Sequence, residues 1–310
     1  GGQETGVWGV RRWDPAGGDG GGVRRWAATS VQPRRLLRDG LEGSVRSHYG
    51  QGLLNDAASR GWGADLRIFR SCGSELNRTR RFYHSGETTD TSFVLERISR
   101  EFPESPLGIA GVSLGGNVVL KFLGERGNDL PSRLHAAAAI SVPFDLARSS
   151  KRVNQGFSKL YQRFFLSSLR RKAKEKAALF PDLSTAEQIS RLRTLKDFDN
   201  LITGPLHGFR DAEEYYQRSS SFGWLAGIRL RTLLLSAFDD PMLPPEVLAE
   251  VREVAQRNPA LHLEFVDKGG HAGFISGSRP WRPFYYAEYR VSEFFAEAFA
   301  DLTRSTASTP

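Results

Sequence analysis

The pentapeptide Gly111-Val112-Ser113-Leu114-Gly115 constrains the fold of this chain more than any other stretch. An apolar run over residues 106–112 precedes it and an amphipathic run over residues 117–124 follows it. The pattern G-x-S-x-G therefore joins a predicted strand to a predicted helix. In such a sharp turn the serine adopts a strained backbone conformation, and the flanking glycines let strand and helix approach each other. The sequence predicts a strand–turn–helix unit with Ser113 at its apex.

The pentapeptide alone leaves two interpretations of Ser113 open. Ser113 is either a nucleophile, with a helix N-terminus directed at the charge that develops during acyl transfer, or an ordinary N-cap in a βα turn. A serine hydroxyl is a poor nucleophile without a base and an acid that orients the base. Those two groups therefore decide between the interpretations.

Short apolar runs that alternate with amphipathic stretches predict an α/β fold with a mostly parallel sheet flanked by helices. This alternation of strand and helix patterns ends after a buried strand at residues 135–142 and resumes with a strand at residues 230–236. The intervening segment contains no convincing strand, and we interpret it as a helical cap insertion over the sheet. The predicted divisions are an irregular, disordered segment at residues 1–35, the first half of the core at 36–143, the cap at 144–222, the second half of the core at 223–304 and a disordered tail at 305–310.

Composition and charge argue against several kinds of ligand for this chain. The 310 residues carry a net charge of +8, and the cap alone holds fifteen Lys and Arg residues against nine Asp and Glu residues. No nucleic-acid motif accompanies this charge, and no close-set group of metal ligands is present, so we expect no nucleic-acid partner, no metal and no cofactor. Cys72 is the single cysteine, which excludes an intrachain disulfide and fits a reducing, most simply cytoplasmic, compartment.

Chain order selects the base. When a nucleophilic serine occupies such a turn, the acid follows it in the sequence and the histidine comes last. Of the six histidines, only His262 and His271 follow the expected acid. His262 lies within the predicted last strand, whereas His271 lies in a glycine-flanked loop just beyond it, where parallel sheets bind ligands. We predict that His271 is the general base, against the alternative of a structural histidine.

The acid is expected just after the preceding strand, where Asp239 and Asp240 are adjacent. We prefer Asp240, which comes before a short apolar turn ending in proline, and expect Asp239 to cap or brace the turn. The alternative is that both aspartates serve only as turn residues.

An oxyanion hole needs two N–H donors. We assign one to the backbone of Leu114, the residue after the nucleophile, and the other to the backbone of Leu41, in the loop over residues 39–43. Cys72, with His84 nearby in sequence, offers an alternative nucleophile, but a small residue in a tight loop is the favoured interpretation because Ser113 already occupies the better context.

The chain resembles the YheT-like hydrolases of the α/β-hydrolase superfamily over roughly residues 36–300. The matching stretches are Gly40-Leu41-Glu42-Gly43-Ser44, Tyr83-His84-Ser85-Gly86-Glu87-Thr88, Gly111-Val112-Ser113-Leu114-Gly115-Gly116-Asn117, Gly127-Asn128-Asp129-Leu130-Pro131, Phe238-Asp239-Asp240-Pro241 and Gly269-Gly270-His271-Ala272-Gly273-Phe274. The resemblance implies the α/β-hydrolase fold, a Ser113/Asp240/His271 triad, a helical cap and esterase or lipase-like activity on carboxylic esters. Its relatives are linked to phospholipid and medium-chain acyl-ester metabolism.

Three departures from the family pattern stand out. Asp39 replaces the usual histidine before the oxyanion loop, and its charge would oppose an oxyanion if the carboxylate pointed inward. Residues 1–35 do not supply the strands that the family has before this loop, so we predict that the N-terminal strands are missing or replaced. The segment Arg70-Ser71-Cys72-Gly73-Ser74-Glu75 exchanges the glycine and serine positions of the usual pattern.

The predicted function is a serine hydrolase that cleaves acyl esters through an acyl-enzyme. Two alternatives stay open, a non-catalytic relative that binds a lipid or a partner, and an acyltransferase with the same triad.

The basic residues of the cap have two interpretations. Its cations are interpreted first as solvated helix faces, and alternatively as weak contacts with an anionic membrane surface. These residues are Arg170, Arg171, Lys172, Lys174 and Lys176.

Overall fold

The computed structural model describes residues 8–10, 22–25, 31–44, 46–72, 76–277 and 281–307. The strands in these ranges are Trp8–Val10 (β1), Gly22–Arg25 (β2), Arg34–Arg38 (β3), Gly63–Arg67 (β4), Leu107–Val112 (β5), Leu134–Ile140 (β6), Thr232–Ala237 (β7), Leu261–Val266 (β8), Ile275–Ser276 (β9) and Phe284–Tyr285 (β10). The α-helices are His48–Ser59 (α1), Thr89–Glu101 (α2), Leu114–Arg126 (α3), Leu146–Arg152 (α4), Lys159–Leu179 (α5), Ala186–Arg191 (α6), Leu195–Phe198 (α7), Gly204–Leu206 (α8), Ala212–Ser219 (α9), Pro245–Gln256 (α10) and Tyr286–Ala307 (α11).

Eight strands form one sheet in the order β1-β2-β4-β3-β5-β6-β7-β8. Strands β3 to β8 are mutually parallel, as buried strands joined by helical crossovers must be. Strands β9 and β10 form a separate antiparallel pair after the last parallel strand. The predicted mostly parallel sheet flanked by helices is confirmed.

Helices cover both faces of the sheet. Apolar side chains of α2, α3 and α10 pack on one face, and those of α1 and α11 pack on the other. The strands between these layers are buried on both sides, which explains their continuous apolar runs. This arrangement directs the carboxyl ends of six parallel strands toward one edge, where the loops that carry the candidate residues emerge.

The N-terminal prediction needs correction. Residues 8–10 and 22–25, predicted to be irregular, form two strands that pair antiparallel with each other and then with β4 at the edge of the sheet. Strand β3 also begins at Arg34, inside the segment predicted to be disordered. The prediction that N-terminal strands are missing or replaced is therefore wrong for these residues. The other residues of the segment 1–30 lie outside the described residues.

The chain's last helix is longer than expected. Helix α11 ends at Ala307, so residues 305–307 of the predicted disordered tail are helical, and residues 308–310 lie outside the described residues. Among the helices of the described ranges, none combines the length and the apolar character needed to cross a bilayer.

Between β6 and β7 the chain forms only helices and turns. Helices α4 to α9 and a π-helix at Asp199–Thr203 occupy residues 144–222, the segment interpreted above as the cap. Buried aromatic and aliphatic residues of this segment pack against Phe69, Tyr83 and Leu114 from the core. The cap therefore lies over the carboxyl ends of the strands.

Candidate active site

Ser113 occupies the turn between β5 and α3 in a strained conformation, with φ +53° and ψ −121°. The neighbouring glycines allow this close approach. A Cβ atom at Gly111 would lie 2.4 Å from the carbonyl oxygen of Gly115, and one at Gly115 would lie 2.3 Å from the carbonyl oxygen of Asp39. Ser113 is the N-cap of α3, yet its side chain makes no capping hydrogen bond. The hydroxyl is thus available to another partner, which argues against the simple N-cap interpretation.

That partner is His271. The Oγ atom of Ser113 lies 2.8 Å from Nε2 of His271, and Nδ1 of His271 lies 2.8 Å from Oδ2 of Asp240. Asp240 is fully buried, and its other carboxylate oxygen accepts a hydrogen bond of 2.8 Å from the backbone N–H of Met242. The structure therefore brings together the three residues selected from chain order, with the carboxylate held in place from both sides.

Asp239 has different hydrogen-bond partners from Asp240. Its Oδ1 atom accepts hydrogen bonds from the backbone N–H groups of Gly269 and Gly270, at 2.9 and 2.8 Å. These two glycines immediately precede His271, so Asp239 fixes the loop that carries the imidazole while Asp240 contacts the ring itself. The sequence predicts that Asp239 caps or braces its own turn, whereas the structure places its hydrogen bonds on the loop that carries His271.

The loop after β3 lies against Ser113. A Cβ atom at Gly40 would be 3.4 Å from the Cβ of Ser113, and Leu41 and Leu114 line the same cavity as Ser113. Leu114 is the first residue of α3, where backbone N–H groups have no partner within the helix. The loop that carries Leu41 thus lies against Ser113, Leu114 follows Ser113 in the chain, and both leucines line the cavity that Ser113 lines.

The carboxylate of Asp39 points away from this cavity. It accepts hydrogen bonds from the backbone of Gly40 at 2.9 Å, from the hydroxyl of Ser47 at 3.3 Å and from the hydroxyl of Tyr49. Asp39 is completely buried, and this burial raises its pKa above the usual range. The carboxylate thus organises the oxyanion loop from behind, and the expected opposition between its charge and an oxyanion does not arise from this orientation.

Sequence reasoning missed a second contact of this loop. Glu42, with φ +56°, directs its buried carboxylate to Nζ of Lys172 on α5 at 2.6 Å and to the Tyr83 hydroxyl at 3.0 Å. This ion pair joins the oxyanion loop to the cap. The sequence did not predict this ion pair, because Lys172 lies in a run of basic residues that is typical of a solvent-exposed helix face.

A largely apolar cavity of about 970 Å³, including its mouth, lies between the cap and the sheet. Ser113 and His271 line one part of it, and Leu146, Leu169 and Phe198 supply apolar walls. A polar group lies on the cap side, where Asp199 accepts a 2.7 Å hydrogen bond from the hydroxyl of Tyr216. Burial raises the pKa of Asp199 to about 6. The apolar lining with a few polar groups is that of a site for a small molecule with an apolar portion.

Cys72 lies in a different environment from Ser113. Its thiol is buried, and burial together with the charge of Glu42 raises its pKa to about 12. His84 does not contact it and instead accepts a hydrogen bond from the backbone of Gly86. Within the described ranges, no group of three His, Cys, Asp or Glu side chains is placed to hold a metal ion.

We expect Cys72→Ala to retain ester hydrolysis within about twofold of the unsubstituted protein, since a thiol with this pKa supplies almost no thiolate at neutral pH. Native Cys72 should also react with iodoacetamide at least about 100-fold more slowly than the denatured chain. Mass spectrometry of the alkylated peptide and steady-state kinetics check both expectations. Loss of activity in Cys72→Ala without a lower melting temperature would contradict this assignment.

Comparisons with known proteins identify the family and the fold of this chain. A family model described as the alpha/beta hydrolase fold matches residues 39–278. The Escherichia coli protein YheT, which is named as an esterase, is 38% identical over 86% of this chain and 78% of its own length. A monoacylglycerol lipase of Saccharomyces cerevisiae is 28% identical over 83% of this chain, which spans only 58% of that relative.

Among solved structures, an esterase of Pyrococcus furiosus superposes with a TM-score of 0.61 at 14% identity. The match covers 96% of this chain and 95% of that one. At this level of identity the likeness concerns the fold alone.

Proposed function

We propose that this chain, which belongs to the YheT-like hydrolases of the α/β hydrolase fold family, cleaves carboxylic acyl esters with Ser113 as the nucleophile. Its homologues are esterases and lipases, which supports ester hydrolysis in general. The observation that carries the proposal is the hydrogen-bonded series from Ser113 through His271 to Asp240, with both distances at 2.8 Å. A serine, an imidazole and a buried carboxylate in this order are the groups that acyl transfer requires.

In the proposed reaction, Nε2 of His271 takes the hydroxyl proton as Oγ of Ser113 attacks the ester carbonyl carbon. Asp240 accepts a hydrogen bond from Nδ1–H, which holds the tautomer in which Nε2 is the proton acceptor and stabilises the imidazolium. The imidazolium then protonates the leaving alcohol, and an acyl-enzyme remains on Ser113. Water, deprotonated by His271, attacks this ester, and the acid departs with Ser113 regenerated.

The negative charge of each tetrahedral intermediate needs donors that are in place beforehand. We assign this role to the backbone N–H groups of Leu41 and Leu114, because both residues line the cavity beside Ser113. The N-terminus of α3 adds a favourable dipole at the same point. The Asp39 carboxylate bonds Ser47 and Tyr49 and does not line the cavity, which favours a working site over the non-catalytic alternative.

The apolar walls favour an acyl chain as the group buried in the cavity, since burial of each CH₂ contributes about 0.8 kcal/mol. A substrate with an aliphatic acyl portion and an alcohol of modest size fits this lining better than a charged one. The monoacylglycerol lipase among the relatives acts, by its name, on an ester of this class. We therefore assign acyl esters with an aliphatic chain as the substrate class.

A fluorophosphonate probe tests the proposal directly. We expect rapid, stoichiometric labelling of one residue, Ser113, because the probe's phosphorus takes the position of the ester carbonyl carbon and reacts only with an activated serine. Peptide mapping by mass spectrometry identifies the labelled residue, and prior heat denaturation serves as the control that removes activation. A chain that stays unlabelled while folded, or that is labelled elsewhere, would refute the proposal.

A further inference from the structure

Large apolar side chains are exposed on the outward side of the 3-10 helix Gly156–Ser158 and of the first two turns of α5, which follows it directly. Four large apolar side chains remain exposed at the helical spacing i, i+3, i+4 and i+7. We call them the apolar stripe, and they are Phe157, Leu160, Tyr161 and Phe164, with 72%, 51%, 38% and 69% exposure. Contiguous exposed apolar residues rimmed by polar ones mark an interaction site more often than isolated ones do.

Beside the stripe lies a surface cleft with four cationic side chains. Lys159, Arg163 and Arg170 come from α5, and Arg193 comes from the turn before α7. Gln162 and Leu166 complete the lining, to which no acidic residue of the described chain contributes; the nearby Asp197 carboxylate accepts from the backbone N–H of Arg193 at 3.0 Å. The Nε atom of Arg170 is buried without a hydrogen-bond partner in the described part of the chain. None of the four cations pairs with an acidic side chain of the described residues.

The surrounding sequence is strongly one-sided in charge. Residues 146–174 contain nine Lys and Arg residues and no Asp or Glu. The structure corrects which cations of α5 are available to solvent, because Lys172 pairs with Glu42 and the buried Lys176 donates to the backbone carbonyl of Asn77 at 2.6 Å. Two lysines of the basic run that the sequence emphasised are therefore turned inward, whereas Lys159 and Arg163 beside the apolar stripe are exposed.

The stripe is also close to the candidate active site. The hydroxyl of Ser158, between two residues of the stripe, donates a 2.5 Å hydrogen bond to the carbonyl oxygen of Pro241, next to Asp240. Farther along the same helix, Leu169 and Lys172 line the cavity that contains Ser113. One helix thus presents a basic, apolar face to solvent and an inner face to the cavity.

We propose that the outer face of α5 docks on an anionic lipid surface. The apolar stripe enters the boundary between headgroups and acyl chains, and the basic cleft holds the phosphate of an anionic headgroup. A free phosphate would use the cleft alone and would leave the adjoining stripe without a role, so the combination favours a lipid surface. This docking concerns where the protein binds and is independent of whether Ser113 is catalytic.

Sedimentation with sucrose-loaded vesicles tests the docking. We expect the full chain to sediment with vesicles of phosphatidylcholine containing about 30 mol% phosphatidylglycerol, and at least about tenfold more weakly with phosphatidylcholine alone. Raising NaCl from about 50 mM to about 500 mM should release most of the electrostatic contribution. Binding that ignores both phosphatidylglycerol and salt would overturn the proposal.

Two double variants separate the stripe from the cleft. Lys159→Glu with Arg163→Glu should lower partitioning onto the anionic vesicles by at least about tenfold. Phe157→Ser with Phe164→Ser should also lower it, while its remaining binding stays salt-sensitive. The matched control, Arg252→Glu on α10 with Arg257→Glu just after its last residue, makes the same change in charge away from the cap and should bind as the unsubstituted chain does. Equal loss in this control would contradict a site on α5.

Inorganic phosphate tests whether the basic cleft binds a free phosphate ion rather than the phosphate of a lipid headgroup. If phosphate raises the melting temperature of the unsubstituted chain but not of the Lys159/Arg163 variant, and no vesicle binding is seen, the cleft is a site for a soluble anion and the lipid proposal fails. Melting temperatures of all variants within about 2 °C of the unsubstituted chain establish that lost binding is not lost folding.

Discussion

Ser113→Ala is expected to lower kcat/KM for a medium-chain p-nitrophenyl ester by about 10⁴-fold to 10⁶-fold while the fold stays intact. The loss is this large because the substitution removes the atom that becomes acylated, and His271 then has no hydroxyl to deprotonate. The residual rate reflects substrate binding and the oxyanion donors alone. Steady-state hydrolysis and thermal unfolding measure the two properties separately.

Ser190→Ala is the matched control for this change. Ser190 is exposed on α6, and its hydroxyl donates to the backbone carbonyl of Ala186. The Ser190→Ala variant likewise loses one serine hydroxyl, but from the surface of the cap. We expect its kcat/KM to change by less than about twofold. Turnover by Ser113→Ala within about tenfold of the unsubstituted chain would show that Ser113 is not the nucleophile.

Much of the fold could be predicted because parallel strands buried on both faces read as unbroken apolar runs. The strand at β6 and the turn at Ser113 are clear for this reason, and the chain order of the acid and the base then located Asp240 and His271. The structure brings these side chains into hydrogen-bonding contact with Ser113. Their catalytic roles stay predictions for the experiments above and below.

Strand β3 was harder to predict because its buried positions carry charge. Arg34 pairs with Asp65 at 3.1 Å, and Arg35 pairs with Asp56 at 2.8 Å, so both arginines are buried despite their polarity. Neither alternation nor an apolar run marks such a strand. The two antiparallel strands before it were missed for a related reason, since segments of three and four residues are too short to show a period.

Buried charged residues of the cap were also not predictable from the sequence. Lys172 and Lys176 are one helical turn apart on the inward side of α5, where Glu42 and backbone carbonyls compensate their charges. Those partners lie more than ninety residues away in the chain, so no local pattern reports them. The direction of the Asp39 carboxylate likewise depends on Ser47 and Tyr49, which only the folded loop brings near.

Asp240→Asn is expected to lower kcat by about 10³-fold to 10⁴-fold, whereas Asp239→Asn lowers it by less than about tenfold. An amide at position 240 can donate a hydrogen bond to Nδ1 of His271, which stabilises the tautomer with the proton on Nε2. That tautomer cannot accept the Ser113 proton. An amide oxygen at position 239 still accepts from Gly269 and Gly270, so the loop keeps its course with weaker hydrogen bonds.

The two substitutions form a matched pair, because adjacent carboxylates lose the same charge without a change of shape. Kinetics with one ester, fluorophosphonate labelling rates and melting temperatures should be measured for both. A lower melting temperature with nearly unchanged kcat is the expected result for Asp239→Asn, since Asp239 acts on the loop backbone. If Asp239→Asn instead loses as much kcat as Asp240→Asn, the imidazole is oriented by the loop as a whole, and the separate role assigned to Asp240 is wrong.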